Sequence, residues 1–242
     1  SAVAPLLVYC LLSLTAIFFQ EVHPLWLVAP VASGGLGWDA HRIGGLMSLG
    51  GAALAFANFV LYPRWARRLS AATLFTRSAA ALTLVYPSTP LLARLSGGPL
   101  LLPLLLVHVA LVQGLCSTCF TSVFLIINDS CAPSSRGRVN GLGMSLSSGF
   151  KAAGPTLGSV AFAWSLTSPS LDVHFTFAIC ALLAALTAAL AWRSFLPPPC
   201  GPSVERAAAV AELAPARADS STPYAEGAPP GCNSVRVYCT RQ

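Results

Sequence analysis

Charge is scarce in this sequence. Only 9% of its 242 residues are Asp, Glu, Lys or Arg, where an ordinary soluble domain carries about a quarter. Lysine is nearly missing, since Lys151 is the one exception among 14 basic side chains that are otherwise arginine. The hydrophobic share is 55% and the mean hydropathy +0.69, so water is not the main solvent of this chain. A net charge of +6 spread over short connectors, with no basic face interleaved with aromatics, excludes nucleic acid as a partner. A P-loop, a nucleophile elbow, paired catalytic carboxylates and a His-rich zinc motif are also missing. Their absence argues against an enzyme, and no cofactor or metal is expected. The amino terminus has no basic n-region of a signal peptide. Its apolar run begins almost at Ser1, which predicts a chain that starts inside a membrane domain. Among the 8 cysteines, Cys10, Cys116, Cys119 and Cys180 lie within apolar runs, where a free thiol behaves as a small hydrophobe. Cys116 and Cys119 have the spacing of a zinc or redox half-site but no second pair, so packing is the expected role.

What the sequence does hold is long apolar segments. Six runs, 5–28, 43–62, 71–92, 100–127, 142–166 and 175–192, each approach the 20 or so residues that cross a bilayer of about 30 Å. Short connectors rich in Gly, Pro and Ser separate them, and such turn chemistry predicts antiparallel neighbours. The expected fold is an all-α membrane protein, a six-transmembrane-helix bundle over 1–196. From 197 to 242 the chain becomes a Pro, Ala, Gly and Ser mixture with too little apolar surface to bury a core. A disordered cytoplasmic tail is expected there, with a short Ala-rich helix over 204–213 and two cysteines, Cys232 and Cys239, that are candidates for lipidation.

Basic residues set the expected orientation. Arg64, Arg67, Arg68, Arg136, Arg138 and Arg193 flank one set of helix ends, and only Arg42 and Arg94 the other. Cytoplasmic loops collect Arg and Lys, so both ends of the chain are expected in the cytoplasm, in a plasma or vacuolar membrane. On that topology the sequon Asn128-Asp129-Ser130 faces the cytosol and stays unmodified.

Polar residues inside apolar runs are expensive and mark pathways. Glu21, in the outward half of the first run, is the best candidate for a proton or cation site, against the alternative of a hydrated carboxylate at the outer interface. Pro24 removes the helix donor of the Gln20 carbonyl and favours a kink beside the charge. His23 points to a different face and is expected at the interface. His108 either lines the pathway or bonds a neighbouring helix, and Gln113 and Asn58 are weaker polar candidates. Lys151 either contacts substrate, snorkels to the cytosol or neutralises a carboxylate such as Asp129. Around it Gly141, Ser145, Gly149 and Ala153 form a stripe at four-residue spacing that lets another helix approach closely. Gly154 and Pro155 weaken the same helix at mid-membrane.

Three passages carry a likeness. They are Glu21 to Trp26 followed by Gly34-Gly35-Leu36-Gly37-Trp38 and Ile43-Gly44, then Pro63-Arg64-Trp-Ala-Arg67-Arg68, and finally Asn128-Asp129 through Arg136-Gly137-Arg138 to Lys151, Gly154-Pro155 and Gly158. Together they resemble the C-terminal half of a major facilitator superfamily transporter, and more narrowly its zinc-induced facilitator-like and drug/proton antiporter members. The resemblance implies a multi-pass secondary active transporter of a small solute, coupled to protons and working by alternating access. It also implies a further N-terminal six-helix half as partner, because facilitator sites form between two halves near the midplane. Glu21 would match the acidic position of the seventh helix. Arg136 and Gly137 would match the inner-gate turn beside Asp129, Gly154 and Pro155 the flexible eleventh helix, and Arg64, Arg67 and Arg68 the basic inner loop. Zinc chelates, organic anions, auxin-like acids and drugs all stay open as substrates. The competing expectation is a half-length membrane protein that transports nothing and binds a partner through the surface between halves.

Overall fold

The computed structural model describes residues 3–168 and 171–195. The expected tail, 197–242, lies outside the described residues, as do the helix expected over 204–213 and Cys232 and Cys239. Among the described residues all regular structure is helical. It comprises α1 (Val3–Val28), α2 (Ala40–Phe56), α3 (Tyr62–Ala66), α4 (Ala71–Ser88), α5 (Leu101–Asp129), α6 (Arg136–Thr167) and α7 (Val173–Phe195).

Local chemistry explains most boundaries. The Asp39 carboxylate accepts the Arg42 amide at 2.8 Å and opens α2, and the Ser70 hydroxyl accepts the Thr73 amide at 3.2 Å and opens α4. Both satisfy a backbone donor that a helix start leaves orphaned. The third expected span is shorter than predicted: α4 ends at Ser88, and Pro90 turns the chain into the tighter coil Pro90–Leu95. The second expected span is not one regular helix. Between α2 and α3 the segment Ala57–Leu61 is a π turn, so the described residues hold seven α-helices where six were expected. Among the described residues four rods are long and apolar enough to cross a membrane, namely Val3–Val28, Ala40–Ala66, Leu101–Asp129 and Val173–Phe195. Helix α4 falls short because Arg77 and its threonines and serines dilute its apolar residues. Helix α6 falls short because glycine, serine and Lys151 dilute its apolar residues.

Side-chain contacts fix the directions. Gly143 of α6 meets Leu6 of α1, and Gly154 meets Ile17, so α1 and α6 are parallel. Tyr9 packs on Phe124 of α5 at 5.0 Å, while the other end of α1 meets Val109 and Val112 across a cavity, so α1 and α5 are antiparallel. Phe75 of α4 packs on Phe195 of α7 at 5.6 Å, and Trp26 of α1 on Phe177 of α7 at 5.9 Å. The ends bearing Arg64, Arg136 and Arg193 therefore share one end of the bundle, with Arg42 and Arg94 at the other.

The core lies where α1, α4, α5 and α7 meet. Trp26, Phe75, Tyr86 and Phe177 are fully buried there, with Phe19 against Tyr86 at 4.7 Å. Each such aromatic pair contributes about 0.5–1.5 kcal/mol beyond its buried area. Helices α2 and α6 sit at the margins and turn much of their surface outward.

Close approach of α1 and α6 comes from a different stripe than the sequence suggests. Gly141, Ser145, Gly149 and Ala153 face outward, and a Cβ at Gly141 or Gly149 would meet nothing within 4 Å. The buried line is Gly143, Ser147, Gly154 and Gly158. Ser147 and Ser13 share a hydrogen bond of 2.9 Å inside this seam. Replacing Ser13 with alanine is expected to cost about 0.6 kcal/mol, the typical value for hydrogen bonds between membrane helices. Thermal unfolding in detergent checks it, and a loss several times larger would mean that more than this bond was removed.

Candidate functional site

The polar residues of α1 separate onto two faces, since positions two apart in a helix differ by about 200°. Glu21 lies on the α6 side. Its carboxylate accepts the Ser159 hydroxyl at 3.1 Å, and a Cβ at Gly158 would lie 3.3 Å from the Glu21 Cβ. The absence of a side chain at Gly158 is what lets the stem of Glu21 lie against α6. The carboxylate is thus held in the seam between two helices and only partly covered.

His23 occupies the opposite face and corrects the expectation of an interface role. It is 3% exposed, stacked on Phe19 at 5.2 Å and beside Trp26 at 5.9 Å. A cavity of about 60 Å³ opens next to it, lined by Gln20 and Pro24 of α1, Met47 of α2, Tyr86 of α4, and Gln113 and Cys116 of α5. The buried His23 Nε2 has no hydrogen-bond partner. Leaving such an atom unpaired costs about 1–3 kcal/mol, and an orphan of this kind calls for a reason such as a ligand. His23→Phe removes the unpaired nitrogen and keeps a ring in its place, so the unfolding temperature in detergent should rise, and a fall would show that the imidazole is bonded where it sits.

Of the other expected pathway residues, Gln113 lines this cavity. His108 does not, because its Nε2 bonds the Thr89 hydroxyl at 2.9 Å and ties α5 to the end of α4. Asn58 sits in the π turn, and its Oδ1 accepts the Ser117 hydroxyl of α5. That turn lies where a Cβ at Gly114 would stand 3.4 Å from the Ala57 Cβ. The cysteine pair is buried packing: the Cys119 thiol points at the Phe75 carbonyl, 3.8 Å away.

Lys151 is apart from the cavity. Its ammonium lies 6.0 Å from the Tyr9 ring and 5.7 Å from the Phe120 ring, joining α6 to α1 and α5. Among the described residues no carboxylate is within ion-pair distance of it, Asp129 included. A charge at mid-helix costs about 2.5–3.5 kcal/mol on insertion scales, whereas a cation over a ring returns about 0.5–1 kcal/mol at a partly exposed site. The two rings do not offset the cost.

Comparison with known proteins now bears on this arrangement. The chain is 32% identical over 164 residues to Protein ZINC INDUCED FACILITATOR-LIKE 1 of Arabidopsis thaliana, which covers 67% of this chain and 34% of that protein. It is 31% identical over 196 residues to Protein ZINC INDUCED FACILITATOR 1 of the same plant, covering 79% and 40%. A probable peptide/nitrate transporter, also from Arabidopsis thaliana, matches at 29% over 162 residues, covering 67% and 33%. The chain is a homologue of the zinc-induced facilitators, which are major facilitator transporters. It spans 33–40% of the length of these curated relatives. No family model and no solved structure matches it.

In this facilitator homologue the expected inner-loop residues gather at the arginine-rich end. Arg136 Nε donates to the Asn128 carbonyl at 3.1 Å, and Asn140 Nδ2 to Asn128 Oδ1 at 2.8 Å, so Asn128 braces the turn from α5 to α6. Arg136, Gly137 and Asp129 are outward-facing, as are Arg64, Arg67 and Arg68. Among the described residues none of these arginines pairs with a carboxylate. Arg64 instead donates to the Val60 carbonyl at 3.2 Å, beside the π turn. Gly154 is buried against Ile17, and Pro155 faces outward with α6 continuous around it. Sequence reasoning missed the His23 cavity and the Lys151 cage, and the aromatic spacing Tyr9, Phe120 and Phe124 held the signal only once α1 and α5 were known to be neighbours.

Proposed function

We propose that this bundle is one half of a secondary active transporter that moves a small solute, coupled to protons, by rocking against a second bundle. The observation that carries the reading is the buried, unpartnered Nε2 of His23, a residue that lines a cavity together with Gln20 and Gln113, in a homologue of facilitator transporters. Hydrogen-bonding groups placed in an apolar bundle are costly unless a solute or water uses them. Glu21 is the proton-carrying group in this reading. It lies on the seam with α6, so protonation that weakens its bond to Ser159 would bias how α1 and α6 sit together. Pro155 leaves the Lys151 carbonyl without its usual helix donor, which gives α6 a place to bend during that change.

The outward stripe Gly141, Ser145, Gly149 and Ala153 supports docking of another helical bundle on α6, because small residues let helix backbones approach where the hydrophobic effect gives no drive. The same stripe also suits a non-transporting membrane protein that binds a partner there. Flux separates the two. Vesicles containing the protein, with an imposed pH gradient, are offered labelled organic anions, zinc chelates and lipophilic drugs. Gradient-driven uptake of at least one is expected, and Glu21→Gln should abolish the response to the gradient. Uptake that ignores the gradient, or is equal in both proteins, removes Glu21 and proton coupling from the mechanism.

A further inference from the structure

We propose that the arginine-rich end of the bundle holds one anionic phospholipid, with its phosphate between Arg64 and Arg67 and the start of its acyl chain along Phe59 and Val60. The inference needs the bundle to lie in a bilayer and is independent of what it transports. Those four side chains and Pro63 line an open notch of about 290 Å³. All five residues belong to the rod that runs from the π turn Ala57–Leu61 into α3 and past its end. Positions 59, 63 and 67 are four apart, as are 60 and 64, so they share one face of that rod. From 59 to 67 the rod advances about 12 Å, and over that length the face changes from apolar to cationic. A phospholipid changes polarity in the same order from its acyl chains to its phosphate.

Both ends of the notch lack a partner among the described residues. Phe59 is 83% exposed, and an apolar surface left open in this way marks a site of contact with another molecule or with lipid. Trp65, on the next turn, is 40% exposed, and tryptophan settles at the level of lipid headgroups. Arg64 gives one donor to the Val60 carbonyl at 3.2 Å, a bond between two lining residues that fixes its guanidinium at the notch. A guanidinium carries five donors, so most of its capacity is left. Arg67 is exposed, and no carboxylate among the described residues pairs with either arginine. Planar guanidinium forks match the oxygens of a phosphate. A soluble phosphate would satisfy the arginines and leave Phe59 and Val60 uncovered. A zwitterionic lipid would cover the apolar end but bring a cation of its own to the arginines. An anionic phospholipid meets both needs.

Native mass spectrometry of the purified protein, released from micelles that contain equal amounts of phosphatidylglycerol and phosphatidylcholine, tests this without flux. Wild type should retain one phosphatidylglycerol with a preference of at least about tenfold, the worth of two arginines near an anionic surface. The double substitution Arg64→Gln/Arg67→Gln should remove that preference and leave phosphatidylcholine unchanged, and lysine at both positions should keep much of it. Arg67→Gln alone should lower the preference about threefold, and it carries the test if the double variant does not fold. Phe59→Ser should weaken retention of phosphatidylglycerol, and excess glycerol phosphate should not displace the lipid. Equal retention of phosphatidylglycerol by wild type and the double variant overturns the proposal. Displacement by glycerol phosphate would mark a site for soluble phosphates and overturns it as well. So does a wild type with no preference, the result expected if a second helical bundle covers the notch.

Discussion

Leucine at position 154 is expected to abolish folding of the bundle, whereas leucine at position 149, five residues earlier on the same helix, is expected to leave it intact. The difference follows from the phase of α6. A Cβ at Gly154 would lie 2.6 Å from the Ile17 Cγ2 and 3.0 Å from its Cβ. The branched root of Ile17 cannot swing away as a flexible chain end could. Even alanine forces the helices apart, a change of the kind that costs about 1–3 kcal/mol in a packed interior. Leucine adds three more carbons at the same point and would also pull Gly158 away from Glu21 and Ser147 away from Ser13. Against a total stability of about 5–15 kcal/mol, loss of the α1–α6 seam is decisive. At Gly149 a new Cβ meets nothing within 4 Å. The measurement is the monodisperse fraction and unfolding temperature of each variant in detergent. A Gly154→Leu protein with wild-type stability would show that the seam is not where the contacts put it.

The same pair of variants carries a functional consequence. If a second bundle docks on the outward stripe, Gly149→Leu should fold normally and still lose flux, because the added side chain would hold that bundle away from α6. A fully active Gly149→Leu would favour a docking surface elsewhere.

The contrast also shows how far the sequence could be read. Helical spans, their connectors and the gathering of arginine at one end follow from apolar run length and charge placement, and the side-chain contacts agree with the up-and-down path. The phase of α6 did not follow. Glycine, alanine and serine stand at 141, 143, 145, 147, 148, 149, 152, 153, 154, 158 and 159, nearly all the way round, so spacing alone offers two stripes and composition cannot choose between them. Ile17 and Leu6 on the neighbouring helix make the choice. Glu21 and His23 pose the same problem on α1: two polar residues on opposite faces, only one of which meets a cavity. Depth along the helix suggested that His23 was near the surface, yet Phe19 and Trp26 of its own helix flank it and α2, α4 and α5 wall the cavity beside it. The π turn at Ala57–Leu61 left no trace in the apolar pattern, because one extra residue in a turn shifts the face without interrupting the run.

The loop after α1 closes tightly on the helix end, and Gly35→Ala should unfold it. A Cβ at Gly35 would stand 2.2 Å from the Ala29 carbonyl oxygen and 2.6 Å from its carbon, backbone atoms with no freedom to retreat. The loop is held by amides that donate to carbonyls around the end of α1: Gly35 to Pro30 at 3.1 Å, Leu36 to Trp26 at 3.4 Å, Gly37 to Ala29 at 2.9 Å and Trp38 to Leu27 at 2.9 Å. A helix end leaves such carbonyls orphaned, and here the loop supplies the donors. The Trp26 indole adds a bond to the Gly34 carbonyl at 3.0 Å. Relieving the clash means opening the loop, and with about 1 kcal/mol for each of the four amide bonds the expected loss is about 4 kcal/mol. Gly37→Ala should cost less, about 1–2 kcal/mol for a left-handed residue, since its φ is +62° and the nearest side-chain atom is 3.7 Å away. Denaturation of both variants in the same detergent measures the order. A Gly35→Ala protein more stable than Gly37→Ala would mean that the loop does not close on Ala29.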